Sequence, residues 1–185
     1  MRYHPTRWLS GFVLTAFLIV GSLSTNGLRA SELRAAVASV KITPPLPFWL
    51  AGYANRTNPA TIVRSDLWAK ALAVDDGKGG RVVFVTVDLI GLSREICDEV
   101  AARSEKLHKL KRSQLVLNSS HTHWGPVVWS NLRAMFDFEP DEKQRVIKYS
   151  EKLKDDLTTL VSTALENLSP ANISSGHGMA EFAIN

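Results

Sequence analysis

The sequence specifies an α/β fold, a mixed β-sheet with flanking helices, and three observations point there. First, apolar runs over residues 66–76 and 81–89 flank the turn sequence Gly77-Lys78-Gly79-Gly80, which is a strong hairpin signal. Second, the apolar period lengthens after Ser93 from that of a strand to that of a helix. It shortens again over residues 113–120, and the order strand, helix, strand implies neighbouring parallel strands joined by a crossover. Third, 45% hydrophobic and 22% charged residues in a chain of 185 suit one domain that buries a core, and exclude a disordered chain.

The first thirty residues read separately. Arg2 and Arg7 make a short positive region, residues 11–24 are apolar but short for a bilayer, and Ala30 precedes Ser31. That is the pattern of a secretory signal over residues 1–30, leaving a domain over 31–185 and a secreted or periplasmic location. Leu28 is larger than the usual residue two places before the cut. Arg2, Arg7 and Arg29 are the only Asp, Glu, Lys or Arg residues in this stretch. Without them the 22 basic and 18 acidic residues of the chain become 19 and 18. The remainder therefore lacks the clustered positive charge of a nucleic-acid binder. The basic run over residues 106–112 reads as the solvated end of a helix. Cys97 is the only cysteine, so no disulfide forms within the chain, and its place in a helical pattern suits a small apolar residue rather than a nucleophile.

Each further element has its own signal. Residues 34–45 form a strand ended by Pro44 and Pro45. The loop that follows is rich in Pro, Gly and Asn, yet Phe48, Trp49 and Tyr53 give it apolar anchors. The run over residues 81–89 is apolar on both faces through Val87, as in a central strand covered on both sides, and it ends in Asp88. Ser93 is an N-cap, with Ile96, Val100 and Leu107 on the buried stripe of the helix. Acidic Glu95 in its first turn and Lys109 and Lys111 beyond its last suit the helix dipole. Residues 139–170 form a long amphipathic helix whose stripe is Val146, Leu153, Leu157, Leu160, Val161, Ala164 and Leu168. The last fifteen residues read as strand, Gly-rich turn and strand.

The chemistry concentrates in Asn118-Ser119-Ser120-His121-Thr122-His123-Trp124-Gly125-Pro126. If the strand runs through them, His121 and His123 point to one side. They would do so at the carboxyl end of a parallel strand, where α/β sheets hold ligands. Such a pair can face one metal ion or one substrate, and a structural pair has the same spacing.

Pro44-Pro45, the Ala51-Gly52-Tyr53 loop, the strand ending Asp88-Leu89-Ile90-Gly91 and the block His121-Thr122-His123-Trp124-Gly125-Pro126 together resemble the amino-terminal domain of the neutral/alkaline non-lysosomal ceramidases. The resemblance runs from Ala36 to Asn185. It implies a partial ceramidase-like catalytic domain that uses Zn2+ to hydrolyse an amide, in an N-acyl sphingoid lipid or a related small molecule. His121 would be a zinc ligand, and His123 would polarise the substrate or hold the developing oxyanion. Gly52, Tyr53 and Trp124 would line the substrate cleft and Asp88 would support the site from behind. The family draws further ligands, another His, a Glu and a Tyr, from chain beyond this point, so the missing carboxyl-terminal part of such an enzyme is an expected partner. His177 is the one histidine here that could stand in. Two departures stand out: Trp124 replaces a small residue, and Val127-Val128-Trp129 follows where glycines would open the cleft. Both suggest a substrate other than ceramide. Trp49, Trp124 and Trp129 would form an apolar lip if they are not buried, and membrane-surface association would follow from a lipid substrate. The competing expectation is a non-catalytic exported binding domain that keeps the histidine motif.

Overall fold

The computed structural model describes residues 33–181. The signal segment expected over residues 1–30 lies outside them. The chain order is β1 (Arg34–Lys41), β2 (Trp68–Asp75), β3 (Arg81–Val87), α1 (Arg94–His108), β4 (Leu115–Ser119), α2 (Pro140–Glu166) and β5 (Ser169–Pro170), with short 3-10 turns at Arg112–Gln114 and Arg133–Met135. The strands lie in one sheet in the order β4-β3-β2-β1-β5. The glycine turn makes β2 and β3 an antiparallel hairpin, β1 runs antiparallel to β2, and β3 and β4 are parallel across the α1 crossover. This is the mixed α/β sheet read from the sequence.

Local chemistry sets the helix ends. The Ser93 hydroxyl accepts from the Ile96 N–H, capping α1, and Lys109 closes it in a left-handed conformation with its N–H on the Glu105 carbonyl. Pro140 starts α2 where its missing N–H costs nothing, and Glu142 reaches back to the Glu139 N–H. Leu107 departs from the expected stripe. It is 60% exposed in the last turn of α1, and Leu110, just past the cap, fills the core instead.

The helices share one face of the sheet. Ala69, Ala71, Ala73, Val83, Val85, Val87 and Leu115 point inward and form one cluster with Ile96 and Val100 of α1 and Val146, Leu153, Leu157 and Val161 of α2. Each large side chain buried there is worth roughly 1.5–3 kcal/mol. The opposite face is open. Val37, Leu72, Phe84 and Val116 are cross-strand neighbours in a single row across four strands. They are 78%, 40%, 43% and 41% exposed. The expectation that β3 is covered on both sides is thus corrected. Its outward Val82 and Phe84 are apolar and Thr86 is polar, and among the described residues no element packs on them.

At the chain end, β5 pairs with the start of β1 over two residues, and residues 171–181 form no strand. The strand, turn and strand expected from residue 171 onward are not formed over residues 171–181, which are mostly exposed; β5 lies just before them. Residues 182–185 lie outside the described part.

Candidate functional site

The loops that leave the carboxyl ends of β3 and β4 are neighbours because the strands are parallel, and the 48–60 loop closes over them. Ala51 N–H donates to the Gly125 carbonyl (2.8 Å) and Val127 N–H to the Trp49 carbonyl (2.9 Å). These bonds clamp the proline-rich loop antiparallel to the histidine loop. Phe48 and Val127 are buried beneath it, and Phe48 packs edge-on against Tyr149. Gly125 lets the backbones approach. A Cβ there would lie 2.7 Å from the Asp88 carbonyl oxygen and 3.2 Å from the Leu89 Cα.

The two histidine rings face each other with centroids 5.3 Å apart. Strand alternation is not what brings them together. β4 ends at Ser119, and His121 sits at φ 58°, so a left-handed turn residue swings its ring toward His123. The His121 Nδ1 lies 2.9 Å from the Ile90 carbonyl oxygen. A carbonyl only accepts, so Nδ1 carries the proton, and in the neutral ring Nε2 is the bare nitrogen on an exposed side chain. That tautomer is what a metal-ligating imidazole needs, with its other nitrogen held by an acceptor.

His123 is half-buried and packs edge-on against the Tyr53 ring at 4.8 Å. Behind it stands Gly52 at φ +82°, where a Cβ would lie 2.5 Å from His123 Cγ. Glycine is therefore required twice over, by backbone conformation and by space. Gly52 and Tyr53 lie against His123, and Trp124 lies beside Tyr53 with ring centroids 6.2 Å apart. Asp88 takes a different place. Its carboxylate accepts from the Trp68 N–H at 2.9 Å and ties the ends of β2 and β3 together, while the Ile90 carbonyl is the group that orients His121.

Arg56 has no motif in the sequence, and the structure puts it at the centre. Nη2 donates to the His123 carbonyl (2.9 Å) and Nε to that of Gly52 (3.3 Å). The guanidinium also lies against the Tyr53 and Trp124 rings. The contact with His123 spans 67 residues, beyond anything a local pattern reports. The Ile90 carbonyl could have been found from topology, since the loop after β3 must adjoin the loop after β4.

The three tryptophans have separate fates. Trp49 packs against Phe136 and Phe138, Trp129 is half-buried beneath Arg133 and Lys143, and Trp124 is 65% exposed beside the histidines. Of the three, only Trp124 is open to solvent. Burial pushes the half-buried Cys97 thiol above its ordinary range, which keeps it protonated and a poor nucleophile.

The model of the family described as "Neutral/alkaline non-lysosomal ceramidase, N-terminal" matches residues 37–184. The chain belongs to that family. Among curated relatives, the neutral ceramidase of Drosophila pseudoobscura pseudoobscura is 32% identical over 117 residues, 60% of this chain and 16% of that protein. The neutral ceramidase of Drosophila melanogaster is 31% identical over 122 residues, 63% of this chain and 17% of that one. The chain thus spans about a sixth of the length of these relatives. Among solved structures, neutral ceramidase from Pseudomonas aeruginosa shares the fold with a TM-score of 0.59 at 21% identity, over 75% of this chain and 22% of that chain. A structure titled "Ceramidase complexed with C2" matches with the same figures.

Among the described residues, no group of three His, Cys, Asp or Glu side chains could hold a metal. His177 lies in the exposed 171–181 segment and does not make up such a group with the pair. The described residues include no helix long and apolar enough to cross a membrane.

Proposed function

We propose that this chain contributes to a zinc-dependent amide hydrolase of the neutral ceramidase type, acting on an N-acyl sphingoid lipid or a related amide. The observation that carries the proposal is the His121 ring, fixed through Nδ1 on the Ile90 carbonyl with Nε2 free, and lying 5.3 Å from a second imidazole. Two imidazoles suit zinc in kind, but a catalytic zinc takes about three protein ligands. The rest of the set would come from polypeptide outside the described residues. Zinc at such a site supplies Lewis-acid chemistry and lowers the pKa of a water to about 7.

The residues of this chain do the remainder. His121 offers Nε2 as a ligand, and the Ile90 carbonyl sets its direction. His123, wedged between Gly52 and Tyr53, donates a hydrogen bond to the substrate carbonyl and holds the negative charge that develops on it. Tyr53 and Trp124 wall the site beside His123 and keep water from the reacting carbonyl. The segment over residues 1–30 would deliver the protein to the periplasm or the outside, where lipid amides at a membrane surface are substrates.

The second reading, a non-catalytic exported binding domain, is favoured by the lack of a third ligand among the described residues. Zinc content of the purified full chain, followed with release of fatty acid from N-acyl amines that differ in head group, separates the two. The enzyme reading expects bound zinc below one per chain, loss of that zinc in His121→Ala, and hydrolysis restored when the remaining ligands are supplied. Zinc retention unchanged by His121→Ala would remove the enzyme reading.

A further inference from the structure

Arg56 does more than hold the loop. A guanidinium has five N–H donors on a planar fork. The edge formed by Nε and Nη2 is spent on the carbonyls of Gly52 and His123, at 3.3 and 2.9 Å. Both Nη1 hydrogens and one on Nη2 remain, and of these one on each nitrogen makes up the end-on edge of the fork. The central carbon of the group lies 5.5 Å from the Tyr53 ring centroid and 5.4 Å from that of Trp124, and the two centroids are 6.2 Å apart. The cation therefore sits in the corner between two aromatic walls, half-buried and fixed in orientation. Among the described residues no carboxylate pairs with it.

A fixed, half-desolvated guanidinium with its end-on edge free matches one kind of ligand group, an anion with two coplanar oxygens, held by two parallel charge-assisted hydrogen bonds. Carbonyl and ring contacts satisfy part of the fork and leave its charge uncompensated. The place is specific as well. Arg56 bonds the main chain of His123 itself, so its guanidinium is anchored to the loop that carries the second imidazole.

We infer that the amide substrate carries an anionic head group on its amine-derived side, as an N-acyl amino acid does, and that Arg56 is the residue that selects it. In an N-acyl amino acid a single carbon separates the amide nitrogen from the carboxylate, which suits two neighbouring protein groups, one for each. A neutral amino-alcohol head would leave the charge of the fork unanswered. The inference rests on the amide-hydrolase reading of this site.

The test is calorimetric titration of the full chain with N-hexanoylglycine and with its uncharged counterpart N-hexanoylethanolamine. The glycine conjugate is expected to bind at least about tenfold more tightly, the worth of one charge-assisted pair, with the advantage shrinking as salt rises. Arg56→Ala should erase the advantage, and Arg56→Lys should keep part of it, since a point charge attracts without the fork. If Arg56→Ala unfolds because the strap is lost, the two-ligand comparison on the unaltered chain still decides. Equal affinity for both compounds overturns the inference and leaves the amide site standing. Saturable binding of neither overturns the amide site together with the inference.

Discussion

Gly52→Ala tests whether the loop geometry holds His123 in place. The new Cβ would lie 2.5 Å from His123 Cγ, 2.7 Å from Nδ1 and 2.8 Å from Cβ. The obstacle is the root of the ring and not the flexible end of a side chain, so relief requires moving the whole imidazole or the loop. The backbone adds its own penalty, because φ +82° costs an alanine about 1–2 kcal/mol. Overpacking of this kind adds about 1–3 kcal/mol, and the stiffer unfolded chain returns about 0.4–1 kcal/mol. The net loss is about 2–3 kcal/mol, or about 5–10 °C in melting temperature for a domain of this size. Thermal unfolding followed by circular dichroism measures it. Proton–carbon spectra of the histidine rings report whether His123 leaves the face of Tyr53, whose ring centroid lies 4.8 Å away. A variant that melts within about 2 °C of the parent, with His123 resonances unmoved, would refute the steric argument.

Gly125→Ala should cost about 2–3 kcal/mol, because its Cβ would meet the backbone at Asp88 and Leu89; a loss under about 0.5 kcal/mol on urea unfolding would contradict this. Burial works to raise the pKa of the Asp75 carboxyl, but the Gly77 N–H and the guanidinium groups of Arg81 and Arg34 outweigh it and hold the group below its ordinary range. Its stabilisation is therefore complete above about pH 4 and fades as pH falls through the folded value. Asp75→Asn should cost about 2 kcal/mol at pH 7, discounted for partly exposed arginines, and the gap between parent and variant should close in acid. A gap that stays constant down to pH 2 would contradict the pairing. The open row of Val37, Leu72, Phe84 and Val116 should make the chain self-associate as concentration rises. Leu72→Lys with Phe84→Lys should lower the light scattering and leave the helical signal intact; unchanged scattering would show that the row is not the sticky surface.

Much of the fold could be read from local chemistry. The glycine turn after Asp76 fixed a hairpin, Ser93 and Lys109 marked the ends of α1, and the stripe from Val146 to Ala164 gave α2 its buried side. Those signals are short-range, and the physics that creates the elements is short-range too. The outer face of β3 was misread for the same reason. An apolar Phe84 says that its environment wants to be apolar, and no local pattern says whether these residues supply the cover. At the site, the spacing of His121 and His123 pointed to a converging pair, but alternation along a strand was the wrong mechanism. The ring contact depends on a left-handed backbone at a non-glycine residue, a conformation that sequence rarely announces. Arg56 was invisible because its partners are carbonyls and ring faces, which place no demand on sequence spacing.

The proposed site depends on the tautomer of His121. Long-range proton–nitrogen spectra of 15N-histidine-labelled full chain, recorded while zinc is added, read it directly. The hydrogen bond to Ile90 requires Nδ1 to carry the proton, which makes Nε2 the bare nitrogen of the neutral ring, with zinc shifting Nε2 of His121 first. A proton on Nε2, or zinc that leaves the resonances of this ring unchanged, would contradict the site.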